Sequence, residues 1–252
     1  GCTTTGTYTI TQPAALTASL VSTAVDTCGL GNGAIIVTAT GGTEEYSFSI
    51  DNIAYQPSPE FYNLNAGSYT IWVDDANGCG PIQVSGINIT ATPVPDLSLS
   101  GAAPEICNGN AFDLTTLNIA DANSTSGTIS WHSGTPANAG NQLASTTVSP
   151  TSTTTYYALK TTTPYGCTDE LAVTLTVHPN PTANITPDPA EICQGGTINF
   201  NGNPSGGSGI YNTHVWTGSG TVFLSATNIV NPVFTATTSG SFTLTYTVTD
   251  SE

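Results

Sequence analysis

Apolar residues recur at every second position along most of the chain, and no stripe with a 3.6-residue period runs for more than a turn or two. Tyr46, Phe48 and Ile50 show the alternation. So do Tyr69, Ile71 and Val73; Leu171, Val173, Leu175 and Val177; and Phe242, Leu244, Tyr246 and Val248. Successive side chains of a strand leave opposite faces of a sheet, so period two marks strands with one buried face. Clusters of Gly, Pro, Asn and Asp ("ATGGTEE", "NLNAGS", "TPYGC", "PSGGSGIYN") interrupt the pattern at short intervals. Short strands punctuated in this way predict an all-β chain of tandem Ig-like β-sandwiches, strung as an elongated rod.

Internal echoes set the expected boundaries. "PEICNG" at 104 to 109 returns as "AEICQG" at 190 to 195, and each copy is followed by a tryptophan in an expected strand, Trp131 in "TISWHSG" and Trp216 in "THVWTGSG". Proline-marked joints at "TATPVPDL" and "VHPNPTANI" separate the units as short, stiff linkers. The reading is therefore three sandwiches at residues 13–92, 93–180 and 181–252. Gly1, Cys2 and the pair Ile10 and Thr11 echo Gly78, Cys79, Ile89 and Thr90, so residues 1–12 read as the final strand of a preceding sandwich. The third sandwich lacks its last strand, and writing the end of the chain before its start gives "YTVTDSEGCTTTGTYTIT", which parallels "TIWVDDANGCGPIQVSGINIT". That join is read as covalent continuation through tandem copies, with donation of residues 1–12 to a neighbouring subunit as the other route.

Six cysteines without any metal-binding spacing favour disulfides and an extracytoplasmic location. Cys28 and Cys107 each precede the second strand of a sandwich, whereas Cys79 and Cys167 each follow the long penultimate strand. The expected bonds are Cys28–Cys79 and Cys107–Cys167, each at one pole of its sandwich and closing a loop of about 50 to 60 residues, worth roughly 3 to 4 kcal/mol. Cys193 and Cys2 are left over, and the same logic pairs Cys193 with Cys2 of the next unit.

Charge narrows the partners. One basic residue, Lys160, stands against 17 acids, for a net charge of −16. A chain so charged cannot neutralise phosphates, which excludes nucleic acid and anionic membrane surfaces. The longest aliphatic run, around "AIIV", is far too short to insert in a bilayer. With 38% hydrophobic residues and Thr at roughly one position in five, the chain is a folded β-rich one rather than a disordered acidic one.

The stretch "ITQPAALTASLVSTAVDTCGLGNGAIIVTATGGTEEYSFSIDN", followed by "FYNLNAGSYTIWVDDANGC", resembles the SprB-type repeat of giant gliding-motility adhesins of Bacteroidota and covers residues 10 to 79. Residues 93–180 and 181–252 resemble the Ig-like and PKD-like modules found beside that repeat, through "EIC-x-G", the tryptophan strand and "TYTVTD". The resemblance implies type IX secretion and display on the bacterial cell surface as long repetitive fibres. Neighbouring copies of the same repeat are then the chief partners, with surface polysaccharide a second.

No catalytic constellation emerges. His132, His178 and His214 have no Ser, Cys or carboxylate at motif spacing, and "GLGNG" precedes a strand rather than a helix N-terminus. No cofactor is expected, although calcium is one ligand that the residues admit: Asp74, Asp75 and Asn77 share a loop, and Asp51 ends a neighbouring strand. A solvated Asx turn closing a hairpin is the other reading of that cluster. Asn88, Asn123 and Asn184 lie in N-x-T sequons. Tyr55, Phe61, Tyr62 and Trp72 are the one local aromatic cluster for a carbohydrate platform, as a carbohydrate-binding module array would need; core packing is the other fate for them. The reading is a non-catalytic stalk segment of an extracellular filament or adhesin.

Overall fold

The computed structural model describes residues 1–251. The fold is all-β, a series of Ig-like β-sandwiches, and among the described residues its only helical turns are short 3-10 turns. Residues 1–16 carry no strand, and the segment up to Ala15 is exposed.

Two sheets make the first sandwich. Strands β1 (Thr17–Ala24), β2 (Gly33–Thr40), β3 (Ser47–Ser49), β4 (Glu60–Leu64), β5 (Gly67–Asp74) and β6 (Ile82–Ile89) sort into the orders β1-β2-β4 and β3-β5-β6. Neighbouring strands in both sheets run antiparallel. The alternation read from the sequence fixes which faces meet: Ile35, Val37 and Phe61 from one sheet pack on Phe48, Ile71, Val73, Ile87 and Ile89 from the other. This is the core of the first sandwich.

The second sandwich is built from β7 (Leu97–Leu99), β8 (Glu105–Cys107), β9 (Phe112–Asp113), β10 (Ile119–Asp121), β11 (Gly127–His132), β12 (Thr147–Val148), β13 (Thr154–Thr162) and β14 (Thr168–His178). Its main sheet runs β11-β13-β14-β8, with β14 and β8 parallel. Ile106, Leu114, Trp131, Tyr156, Ala158, Val173 and Leu175 form its core.

Strands β15 (Thr197–Asn199), β16 (Tyr211–Thr217), β17 (Val233–Thr235) and β18 (Thr245–Asp250) follow, paired as β15-β17 and β16-β18. Aromatic rings link them: Trp216 lies 4.8 Å from Tyr246, and Phe223 lies 4.7 Å from Phe242.

The chain falls into two compact units that group residues differently from the three sequence segments. One holds Gly1–Asp96, Asp121–Thr128 and Lys160–Asp169; the other holds Leu97–Ala120, Ile129–Leu159 and the chain from Glu170 on. The tips of the second-sandwich strands thus belong with the first unit.

Ile71 and Leu175 are fully buried, one in each of the two aliphatic cores. Ile71→Ala and Leu175→Ala are each expected to cost about 2 to 5 kcal/mol, because the surrounding strands cannot collapse onto the lost volume. Urea unfolding followed by tryptophan fluorescence measures both.

Candidate functional site: the Cys28–Cys167 joint

A disulfide joins Cys28 to Cys167 across 139 residues, with a Cα–Cα distance of 5.4 Å. Both ends lie in the first unit. Cys28 occupies the turn between β1 and β2, and Cys167 occupies the turn between β13 and β14. The expected pairs Cys28–Cys79 and Cys107–Cys167 are therefore corrected. The bond lies between strand ends, as expected of a pole, yet it fastens two different sandwiches rather than closing one.

Local hydrogen bonding explains the choice of partner. Asp26 is buried, and its Oδ1 accepts the Gly31 N–H at 2.8 Å while its Oδ2 accepts the Ala66 N–H at 3.0 Å. Its backbone N–H donates to the Thr90 carbonyl, and its own carbonyl accepts the Thr92 N–H. These bonds tie the Cys28 turn to the exit of β6. Thr92 Oγ1 then accepts the Cys28 N–H at 2.7 Å and lies 3.4 Å from Cys167 Sγ. Across the joint, the Cys167 N–H donates to Thr162 Oγ1 and the Thr162 N–H donates to the Cys167 carbonyl. Cys28 itself has a φ of +56°, a left-handed conformation that a non-glycine residue holds only when its surroundings enforce it.

The other cysteines lie elsewhere. Cys79 is exposed on the β5–β6 turn, and a hydrogen bond to Asp75, with burial and nearby acids adding to it, pushes its thiol pKa up. Cys107 is buried with Sγ 3.8 Å from Asp250 Oδ1. Cys2 and Cys193 are exposed thiols.

Of the residues considered for calcium, Asp74, Asp75 and Asn77 share the loop that follows β5, whereas Asp51 lies past the other end of β3, where Ser49 faces Trp72 rather than Asp74; the oxygens of all three carboxylates accept backbone N–H groups. Asp75 accepts N–H groups from Cys79 at 2.7 Å, Thr43 at 2.8 Å and Asn77 at 3.1 Å. Asp74 Oδ1 accepts the N–H groups of Asp75 and Gly80, and Asn77 Nδ2 donates to Thr43 Oγ1. Asp51 Oδ1 accepts from Ser49 Oγ and from the Ile53 and Ala54 N–H groups. Among the described residues no three His, Cys, Asp or Glu side chains stand together as a metal-binding group.

The chain's one lysine is also used structurally. Lys160 Nζ lies 2.8 Å from Asp121 Oδ2 and donates to the Thr125 carbonyl, and this pairing, with further hydrogen bonds, holds the Asp121 carboxyl far below the usual range.

Each histidine is engaged by a nearby polar group. His132 is buried, with Nδ1 facing the Asn138 carbonyl and Asn141 Oδ1, and Nε2 facing Ser130 Oγ. His178 faces Glu105 at 2.8 Å, and His214 bonds the Tyr246 hydroxyl at 2.6 Å.

The aromatic cluster is divided between surfaces. Phe61 is in the core, so its neighbour Tyr62 on β4 points outward from one sheet. Ile71 and Val73 are in the core too, so Trp72 on β5 points outward from the other sheet. The structure does not place these rings on one platform.

No protein-family model and no curated protein matches the sequence. Among solved structures, three N-terminal domains of the bacteriophage RB49 highly immunogenic outer capsid protein align over 86% of this chain and 80% of theirs, at 15% identity and a TM-score of 0.43. Titin domains I67–I69 align over 94% of each chain at 11% identity, with a TM-score of 0.36. Clostridium thermocellum CbhA fibronectin(III)-like modules align over 64% of this chain and 94% of theirs, at 12% identity and a TM-score of 0.25.

Acid should loosen the poles. Hydrogen bonds from the backbone lower the carboxyl pKa values of Asp51, Asp75 and Asp113. A carboxyl with a depressed native pKa stabilises the fold above its unfolded value, about 3.9, and loses that contribution as the pH falls through the native value. Melting temperatures between pH 7 and pH 2 should therefore hold steady and then drop below about pH 4. Asp75→Asn should flatten that drop and lower the plateau.

Proposed function

We propose that this chain is a structural, non-catalytic segment of an extracellular filament or cell-surface adhesin. Its work is to carry tension along a string of β-sandwiches. The observation that supports this most directly is the Cys28–Cys167 bond. It is a covalent path that bypasses residues 29 to 166, so tension applied at the two ends of the chain does not reach the strands inside that loop. The buried Asp26 and Thr92 contacts brace the same joint. A disulfide of this kind suits an oxidising compartment outside the cytoplasm.

The finer reading is a gliding-motility or attachment adhesin on a bacterial surface, exported by the type IX route, with neighbouring copies of the repeat as its partners. What supports it is the resemblance of residues 10 to 79 to SprB-type repeats, together with an acidic, nearly lysine-free surface suited to neither nucleic acid nor anionic lipid.

Single-molecule stretching between the termini tests the mechanical role. Breaking the disulfide should release an extra length of roughly 139 residues at about 3.6 Å each, close to 500 Å. Oxidised protein should extend that much less than reduced protein or the Cys28→Ser variant. Equal extension with and without reductant would remove the reading.

A further inference from the structure

The first two sandwiches flank the penultimate strand on both sides, and the third does not. In the first, β5 is flanked by β3 and β6; in the second, β13 is flanked by β11 and β14. Among the described residues β18 pairs with β16 alone. A second edge is open as well. In the second sandwich the segment Glu105–Cys107 forms β8 by pairing in parallel with the closing strand β14. Its sequence counterpart, Glu191–Cys193, forms no strand. Beside Glu191 and Ile192 lies a groove of about 690 Å³, lined also by Ile198, Phe200, Phe234, Phe242 and Leu244, the last of which immediately precedes β18.

Residues 3 to 11 have the pattern that would fill it. "TTTGTYTIT" alternates Thr with Tyr8 and Ile10, which are 90% and 85% exposed in their own chain. The matching stretch "SGINIT" lies in and just after β6, where Ile87 and Ile89 are buried core residues.

We infer that residues 3 to 11 of a second copy of this chain close the third sandwich. The incoming segment adds to the free edge of β18 as β6 adds to β5, antiparallel, and its far edge meets Glu191–Cys193 in parallel, as β14 meets β8. Tyr8 and Ile10 enter the apolar groove. The inference stands on sheet topology and is independent of the mechanical reading.

The test is sedimentation velocity of the full chain, in reductant, across a range of concentrations. Concentration-dependent oligomers are expected. The double variant Tyr8→Asp, Ile10→Asp, altered only in an exposed segment, should self-associate at least tenfold more weakly. A synthetic peptide of residues 2–12 should dissolve the wild-type oligomers, and the same peptide with both aspartates should not. A wild-type chain that stays monomeric overturns the inference, whether residues 3 to 11 are left free or are protected from hydrogen exchange by folding back. Oligomers indifferent to the double variant overturn it too.

Discussion

Seventeen acids and one lysine leave this chain almost without ion pairs, and that shortage shapes how its strands are tied together. A carboxylate that cannot find a cation still gains from backbone N–H groups, which bind it more strongly than they bind a neutral acceptor. Asp26, Asp51, Asp75, Asp113, Asp121 and Asp250 all accept backbone N–H groups at turns. The negative charge is therefore spent at the ends of strands, where it fixes turn geometry. The sheets between them keep cores free of charge.

That arrangement decides where the disulfide forms. Asp26 fastens the Cys28 turn to residues 90–92 at the exit of β6, and Thr92 presents its hydroxyl to both Cys28 and Cys167. Cys79 is held on its own turn by Asp75, 2.7 Å from its N–H. Two carboxylates thus separate two cysteines that a simple strand count would pair. The bond that results spans 139 residues, long enough to stabilise by about 5 kcal/mol through unfolded-state entropy alone.

What the sequence made legible is what depends on near neighbours. Period-two alternation put Phe48, Ile71, Val73, Val173 and Leu175 in cores, because the two faces of a strand are set residue by residue. The same parity could have shown that Phe61 and Tyr62 face opposite ways. Cysteine pairing was not legible, since it turns on which poles meet, and nothing in the spacing of Cys28, Cys79, Cys107 and Cys167 separates bonds within a sandwich from bonds between sandwiches. The Asp74, Asp75 and Asn77 cluster was visible as a cluster, but the groups that occupy its oxygens include the N–H of Thr43, 32 residues away.

One further signal recurs in the sequence. A Gly-Gly pair followed by a tyrosine recurs at Gly41, Gly42 and Tyr46 and at Gly206, Gly207 and Tyr211. In both places the tyrosine hydroxyl donates to the carbonyl of the first glycine. The second glycine has a φ near +60° in both, +60° at Gly42 and +63° at Gly207, and a side chain there would collide with a carboxylate, Asp75 in one case and Asp250 in the other. That carboxylate accepts the next N–H, from Thr43 or from Ser208, at 2.8 Å each time. The first sandwich builds this pole with its closing strand in place; the third builds it with β18 paired on one side only. The pole therefore does not need the closing strand to form. An edge already held in position by glycines, a tyrosine and an aspartate loses little further entropy when a strand arrives, so the cost of pairing falls mainly on the incoming segment.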